Sequence, residues 1–201
     1  MTSSEQDLVR RCQECTGAAF EEAYEGLYGL YKNRIFAICL RIVGNEEDAL
    51  DAAQEALVTV ARRICSFEHR SQFSSWVYRI AVNAAIDSRR RRMVGKPAVS
   101  ADPGAQPGSR GMDPAAPLET SEPSLRAATA ESCEAVRLAL TRLNPRVSAL
   151  LTLRYVQGLS YEAISEVQEC SLGTVKSRLN RAHQALREYL ERHGQAGLPT
   201  E

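Results

Sequence analysis

The chain is poor in the groups that enzymes use. Of its 201 residues only three are histidines, His69, His183 and His193. No glycine-rich phosphate loop, paired-acid constellation or nucleophile beside a base accompanies them, so no catalytic residue, no cofactor and no enzymatic activity is expected. Strand signals are weak too, since Val, Ile and Thr do not cluster in alternating runs, and helical periodicity in most segments outside the middle makes the class all-α. No uninterrupted apolar run approaches membrane-spanning length, and the first seven residues lack the basic and apolar regions of a signal peptide. The expectation is a cytoplasmic protein with no membrane insertion. Six cysteines in such a chain read as reduced thiols rather than a disulfide framework. Cys12-Gln-Glu-Cys15 is a lone CxxC. Zinc needs about four ligands, and no second CxxC or CxxH completes the set, so no metal site is assigned and a thiol or metal sensor built on the pair is the weakest reading. Cys39, Cys133 and Cys170 lie in or beside helical patterns and read as small buried hydrophobes.

What is abundant is helical periodicity, interrupted once. Six of the eight prolines and four glycines fall between Gly95 and Pro123, where apolar periodicity vanishes. That composition cannot bury enough surface to offset the entropy of ordering, so it reads as a flexible Pro/Gly/Ala-rich linker. Two small helical domains follow, residues 1–92 and 129–193, with the linker over 93–128 and a tail over 194–201.

In the first domain, a short polar helix runs from Ser4 to about Glu14. From Ala18 to Val43, Phe20, Tyr24, Leu27, Tyr28, Tyr31, Ile35, Ile38 and Ile42 step by three and four, predicting a long amphipathic helix with Gly26 and Gly29 as points where it could break. Gly44 stops it. Asn45 caps the next helix, whose first turn holds Glu46, Glu47 and Asp48 at the positive end. Asp51, Gln54 and Glu55 then project from one face; either they are a solvated face or they dock a basic partner surface. Cys65 to Ser71 reads as a loop. Beyond it, Phe73, Val77, Ile80, Ala81 and Ala84 form a buried stripe. Trp76, Asn83 and Arg90 line up beside that stripe, with Arg79 between. This row suits stacking on and reading unpaired bases; equally, Trp76 is core and the arginine run is a solvated helix end.

The second domain opens with a helix carrying Val136, Leu138, Ala139, Leu140 and Leu143, turns at Asn144-Pro145, and continues with a helix carrying Val147, Leu150, Leu151, Leu153 and Val156, the two supplying the core. Ser160 caps a short helix with Ile164 and Val167 inward. After a break at 169–173, Val175, Leu179, Ala182, Leu186 and Tyr189 form the inner face of a longer helix, and Lys176, Ser177, Asn180, Arg181 and Gln184 its outer face. No acid occurs between Cys170 and Arg187. Two short helices with the second presenting Lys, Ser, Asn and Arg match the helix-turn-helix plan for the major groove. Yet Lys plus Arg and Asp plus Glu are 25 each, and a chain of zero net charge that grips DNA implies help from a partner.

Over nearly its full length the sequence resembles the extracytoplasmic-function sigma factors of bacteria. Residues 151–165 (Leu-Thr-Leu-Arg-Tyr-Val-Gln-Gly-Leu-Ser-Tyr-Glu-Ala-Ile-Ser) and 173–182 (Gly-Thr-Val-Lys-Ser-Arg-Leu-Asn-Arg-Ala) look like that family's minus-35 domain. Asp51-Ala-Ala-Gln-Glu55 and Phe73-Ser-Ser-Trp-Val-Tyr-Arg-Ile-Ala-Val-Asn83 look like its first domain. The resemblance implies that Asp51, Gln54 and Glu55 contact core RNA polymerase at the clamp helices. It implies that Phe67, Arg70, Phe73, Trp76, Arg79 and Asn83 melt and read minus-10 promoter DNA, with Asn83 and the Phe67–Gln72 loop holding a flipped base. Thr174, Lys176, Ser177, Arg178, Asn180 and Arg181 would face the minus-35 groove, the linker would thread the RNA exit path, and an anti-sigma factor would be a partner. Two features depart from the family pattern: the Ala52-Ala53 pair, where larger apolar residues are usual, and Glu169 before Cys170, where a small residue is commoner. The competing reading is a free-standing helix-turn-helix regulator on duplex DNA, which needs neither the 51–55 cluster nor the Trp76 row.

Overall fold

The computed structural model describes residues 5–95 and 123–193, and all its regular structure there is helical. The first half holds α1 (Glu5–Glu14), α2 (Ala18–Val43), α3 (Glu46–Arg63) and α4 (Phe73–Gly95). The second holds α5 (Pro123–Arg142), α6 (Pro145–Leu151), α7 (Tyr161–Gln168) and α8 (Leu172–Arg192). Helix therefore extends into both ends of the linker expected at 93–128, and the rest of that linker, with the tail, lies outside the described residues.

Helix α2 is the centre of the first half. Leu27, Tyr31, Ile35, Ile38 and Ile42 are buried along one stripe, each large aliphatic side chain contributing about 1.5–3 kcal/mol by leaving water. Tyr28, expected on that stripe, is 42% exposed, because it stands one position past Leu27 and so about 100° round the helix. The helix does not break at either candidate glycine. Gly26 instead lets α1 in: a Cβ there would sit 3.0 Å from Leu8 Cδ2. At the C-terminus Gly44 takes a φ of 91°, and its N–H donates to Leu40 O. Asn45 then accepts from the Asp48 N–H at 2.9 Å, capping α3 as expected. Ala52 and Ala53 are buried, so the small pair brings α3 close to its neighbours.

In the second half Asn144 caps α6 with Pro145 in the first turn. The chain then widens into a π-turn at Thr152–Val156. That extra residue per turn rotates the pattern, so Val156, expected inward, is 40% exposed, and Tyr155 is 65% exposed. Thr152 is buried at the head of the turn, and its hydroxyl has no hydrogen-bond partner among the described residues. Ser160 and Ser171 cap α7 and α8 by accepting from Ala163 and Thr174 N–H groups. Cys133 is exposed, unlike the buried Cys12 and Cys39, because it falls on the outer side of α5. Leu138, expected in the core, is 46% exposed, since on one helix it cannot share the buried face of both Ala139 and Leu140.

The halves share one hydrophobic cluster, which runs from Ile42 and Val43 to Leu140, Leu150 and Ile164. Arg89 ties them together. The arginine run at the end of α4 is not uniformly solvated, since Arg89 is only 7% exposed. Its guanidinium donates to Ile42 O at 2.9 Å and to Thr141 O and Leu143 O at 2.7 Å each. These carbonyls belong to the C-terminal ends of α2 and α5, which helices leave unsatisfied, so one cation serves two negative helix ends. Burial, then the Arg142 charge, pushes its pKa down.

Candidate polymerase and nucleic-acid interfaces

The outer face of α3 carries Asp51, Gln54 and Glu55, all exposed. The structure adds Leu50, 54% exposed, and Val58, 43% exposed, on the same face. The sequence held a signal for them, since both fall off the buried stripe of Ala49, Ala52, Ala53, Ala56 and Val60. Two aliphatic groups among carboxylates and an amide make a surface suited to a partner. Glu55 accepts from Arg91 of α4 at 2.8 Å, and Asp48 lies 3.2 Å from Arg92. The acids of α3 are thus partly matched by the cationic end of α4.

The loop after α3 and the start of α4 form an aromatic cluster. Phe67 meets Phe73 edge-on at 5.3 Å and Trp76 at 5.4 Å, and Phe73 stacks on Trp76 at 5.6 Å. Phe67 and Phe73 are buried and Trp76 is half-buried. The two phenylalanines are therefore the support of the surface, with Trp76 at its edge. Gln13, which no sequence pattern singles out, holds the loop from α1. Its amide donates to Phe67 O at 2.8 Å and Ile64 O at 3.1 Å, and its oxygen meets the His69 ring at 2.9 Å. His69 takes a left-handed backbone, φ 56°.

A groove of about 610 Å³ opens beside this loop, lined by Phe67, Arg70, Gln72, Phe73 and, from the second half, Glu166. Arg70 is exposed at its rim and pairs with Glu68 at 2.8 Å. Arg79 lies further along α4 and forms an ion pair with Glu169 of the α7–α8 turn. Asn83 is exposed and does not line the groove, lying ten residues beyond Phe73, or about 15 Å of helical rise. The structure thus gathers Phe67, Arg70, Phe73 and Trp76, and leaves Arg79 and Asn83 as a continuation along α4.

In the second half, Lys176, Ser177, Arg178, Asn180 and Arg181 are exposed on α8, while Val175, Leu179 and Ala182 are buried beneath them. Thr174 is half-buried, its hydroxyl engaged with Ser171 in the cap at 2.9 Å. Arg178 folds back toward Cys170 Sγ at 3.7 Å, leaving Lys176, Asn180 and Arg181 to project from the middle of the face. Glu162 at the start of α7 is held below the usual carboxylate range by its own backbone N–H and the Ser160 hydroxyl, with smaller help from Lys176 and Arg154. Among the described residues no three His, Cys, Asp or Glu side chains are placed to hold a metal ion, and no helix is long and apolar enough to cross a membrane.

Residues 27–94 match the family described as Sigma-70 region 2, and residues 133–186 match Sigma-70, region 4. The chain is 33% identical over 197 residues to the RNA polymerase sigma-H factor of Pseudomonas aeruginosa, covering 95% of this chain and 97% of that one. It is 30% identical over 172 residues to the ECF RNA polymerase sigma factor SigW of Bacillus subtilis, covering 85% of this chain and 90% of that one. Its fold is shared with CnrH, solved with the cytosolic domain of CnrY, at a TM-score of 0.61 and 17% identity, covering 96% of this chain and 100% of that one. It is shared too with the sigma factor RpoE of Bartonella quintana, solved with the anti-sigma factor NepR, at a TM-score of 0.58 and 22% identity, covering 85% and 98%. With both halves matched in order and relatives aligned over most of their length, the chain belongs to the extracytoplasmic-function sigma factors, and directs promoter-specific initiation by RNA polymerase.

Proposed function

We propose that the two halves divide promoter recognition between them, and that the protein works in the cytoplasm as a binding subunit with no catalysis of its own. The α3 face of Asp51, Gln54 and Glu55, widened by Leu50 and Val58, docks on core polymerase. Arg70, Trp76, Arg79 and Asn83 contact the melted minus-10 strand, over the support of Phe67 and Phe73. Helix α8 enters the minus-35 major groove, with Lys176, Asn180 and Arg181 central and Thr174, Ser177 and Arg178 toward the phosphates. An anti-sigma factor is the expected regulator; CnrH and RpoE, which share the fold, were each solved with a partner protein, in the latter case an anti-sigma factor.

The observation that carries this reading is the α8 face: exposed, cationic, hydrogen-bonding, and free of acids from Ser171 through Arg187. A packing helix needs no such segregation of sign, and a groove-reading helix does. The free-standing regulator leaves the α3 face and the Trp76 surface without a role.

The test is promoter selection by the holoenzyme at two salt concentrations. Lys176→Ala or Asn180→Ala should flatten preference at defined minus-35 positions, each bidentate pair with a base edge being worth about 1–3 kcal/mol of discrimination. Arg178→Ala or Arg187→Ala should weaken binding evenly and lower the salt slope by about one. The reverse pattern would mean a different rotation of α8 in the groove.

A further inference from the structure

The surface assigned to minus-10 DNA is not open, because two carboxylates of the second half lie on it. Glu166, on α7, has Oε2 3.4 Å from the backbone N–H of Gln72, which donates to it at the lip of the groove. Glu169 receives the guanidinium of Arg79. A backbone N–H and an arginine are the donors that commonly take phosphate oxygens in nucleic-acid complexes. Both are filled here by acids one turn apart on a single element.

The geometry around Glu169 supports a purpose in that contact. It is one of only two non-glycine residues with positive φ among the described residues, at 48°, in a left-handed C-cap position where glycine is easiest. Most side chains carry a penalty there. A glycine would end α7 with less strain and could not reach Arg79.

We infer that Glu166 and Glu169 are an intramolecular substitute for the minus-10 phosphates, and that they keep the free chain closed until DNA on polymerase displaces them. The inference rests on the minus-10 assignment proposed above. Distance makes closure incompatible with promoter binding: elements about 25 base pairs apart lie about 85 Å apart along B-DNA at 3.4 Å per pair. A compact chain of this length has a radius of gyration of about 17 Å. The halves must separate to reach both elements, and separation breaks both carboxylate contacts. The exchange is one anion for another on the same donors, so opening leaves neither Arg79 nor the Gln72 N–H without a partner.

The experiment uses the full chain with Glu166→Gln and Glu169→Gln combined, which keeps side-chain size and removes the charges. Binding to a fluorescein-labelled mixed-sequence 12-nucleotide single strand is read by anisotropy at low ionic strength, and size by small-angle scattering. A control carrying Glu21→Gln and Glu25→Gln matches the change in net charge at exposed acids of α2 that face neither donor. The expected result is about three- to tenfold tighter binding for the 166/169 variant, a larger radius of gyration, a control within twofold of the parent, and disappearance of the gain when Arg79→Ala is added. Equal tightening in the control, or none in the 166/169 variant, overturns the inference. If Arg79→Ala meanwhile impairs minus-10 use by the holoenzyme, the assignment of Arg79 survives that failure. A gain that persists without Arg79 overturns both.

Discussion

Replacing Arg89 with alanine should uncouple the halves before it unfolds either one. The side chain donates three hydrogen bonds, to Ile42 O, Thr141 O and Leu143 O. Hydrogen bonds to charged groups are worth about 1.5–3 kcal/mol each, offset by the cost of burying a guanidinium. On truncation the Ile42 carbonyl, whose bond is buried, is left unsatisfied at about 1–3 kcal/mol, while water can reach the part-buried Thr141 and Leu143 carbonyls and soften the effect there. The net expected is about 2–4 kcal/mol, or about 1 M in urea midpoint at an m-value of about 2–3 kcal/mol/M. The sequence supplies its own probe, because its one tryptophan, Trp76, lies in the first half. Ellipticity reports on both. In the parent the two signals should change together. In Arg89→Ala, ellipticity should begin to fall at lower urea than fluorescence, as the second half melts without its capping cation. Coincident transitions with an unfolding free energy unchanged within about 0.5 kcal/mol would refute the reasoning, and Arg89 would then be a passenger at the interface.

Other substitutions probe separate parts of the account. Gly44→Ala should weaken the same interface, since its Cβ would fall 2.7 Å from Thr141 Cγ2 at a φ of 91°; a midpoint equal to the parent's would contradict it. Thr152→Val should stabilise by about 1 kcal/mol, because it trades an unpartnered buried hydroxyl for a methyl of similar shape, and a lower urea midpoint would show that the hydroxyl is satisfied. Burial pushes the Cys39 thiol up to about 12 and raises Cys12, so at pH 8 both should stay protonated and shielded from a thiol reagent while exposed Cys65 and Cys133 react. Labelling of Cys39 at the rate of Cys133, read by mass spectrometry of the native chain, would contradict that. Asp51→Ala with Glu55→Ala should weaken core polymerase association by at most about 1.5–3 kcal/mol per carboxylate in a competition assay, with folding retained; unchanged binding would remove α3 from the docking surface.

Much of this architecture is written in local patterns. The steps of three and four from Leu27 to Ile42 and from Val175 to Ala182 predict the buried stripes, because a helix face has only one way to reach a core. Asn45 and Ser160 announce their caps because a side-chain acceptor before a helical run has few other uses. What local pattern does not carry is partner geometry. Arg89 stands in a run of four arginines, and nothing in the run marks the one that meets three carbonyls from other helices. Glu169 is visible in the sequence as an unusual residue, but its ion pair with Arg79, ninety positions away, is not. Val156 departs from its expected inward place because the π-turn shifts the period without a proline or glycine to signal it. The α8 face is legible in full, since exposure and sign follow from periodicity alone.

One chain is proposed to read two promoter elements through two different surfaces while bound to polymerase. Transcription by core polymerase from templates randomised at both elements, with and without this protein, tests it most directly. Transcripts should appear only with the protein and show sequence preference at both elements, with Asn83→Ala erasing the first preference and Lys176→Ala the second. Selection at a single element, or one substitution flattening both, would contradict it.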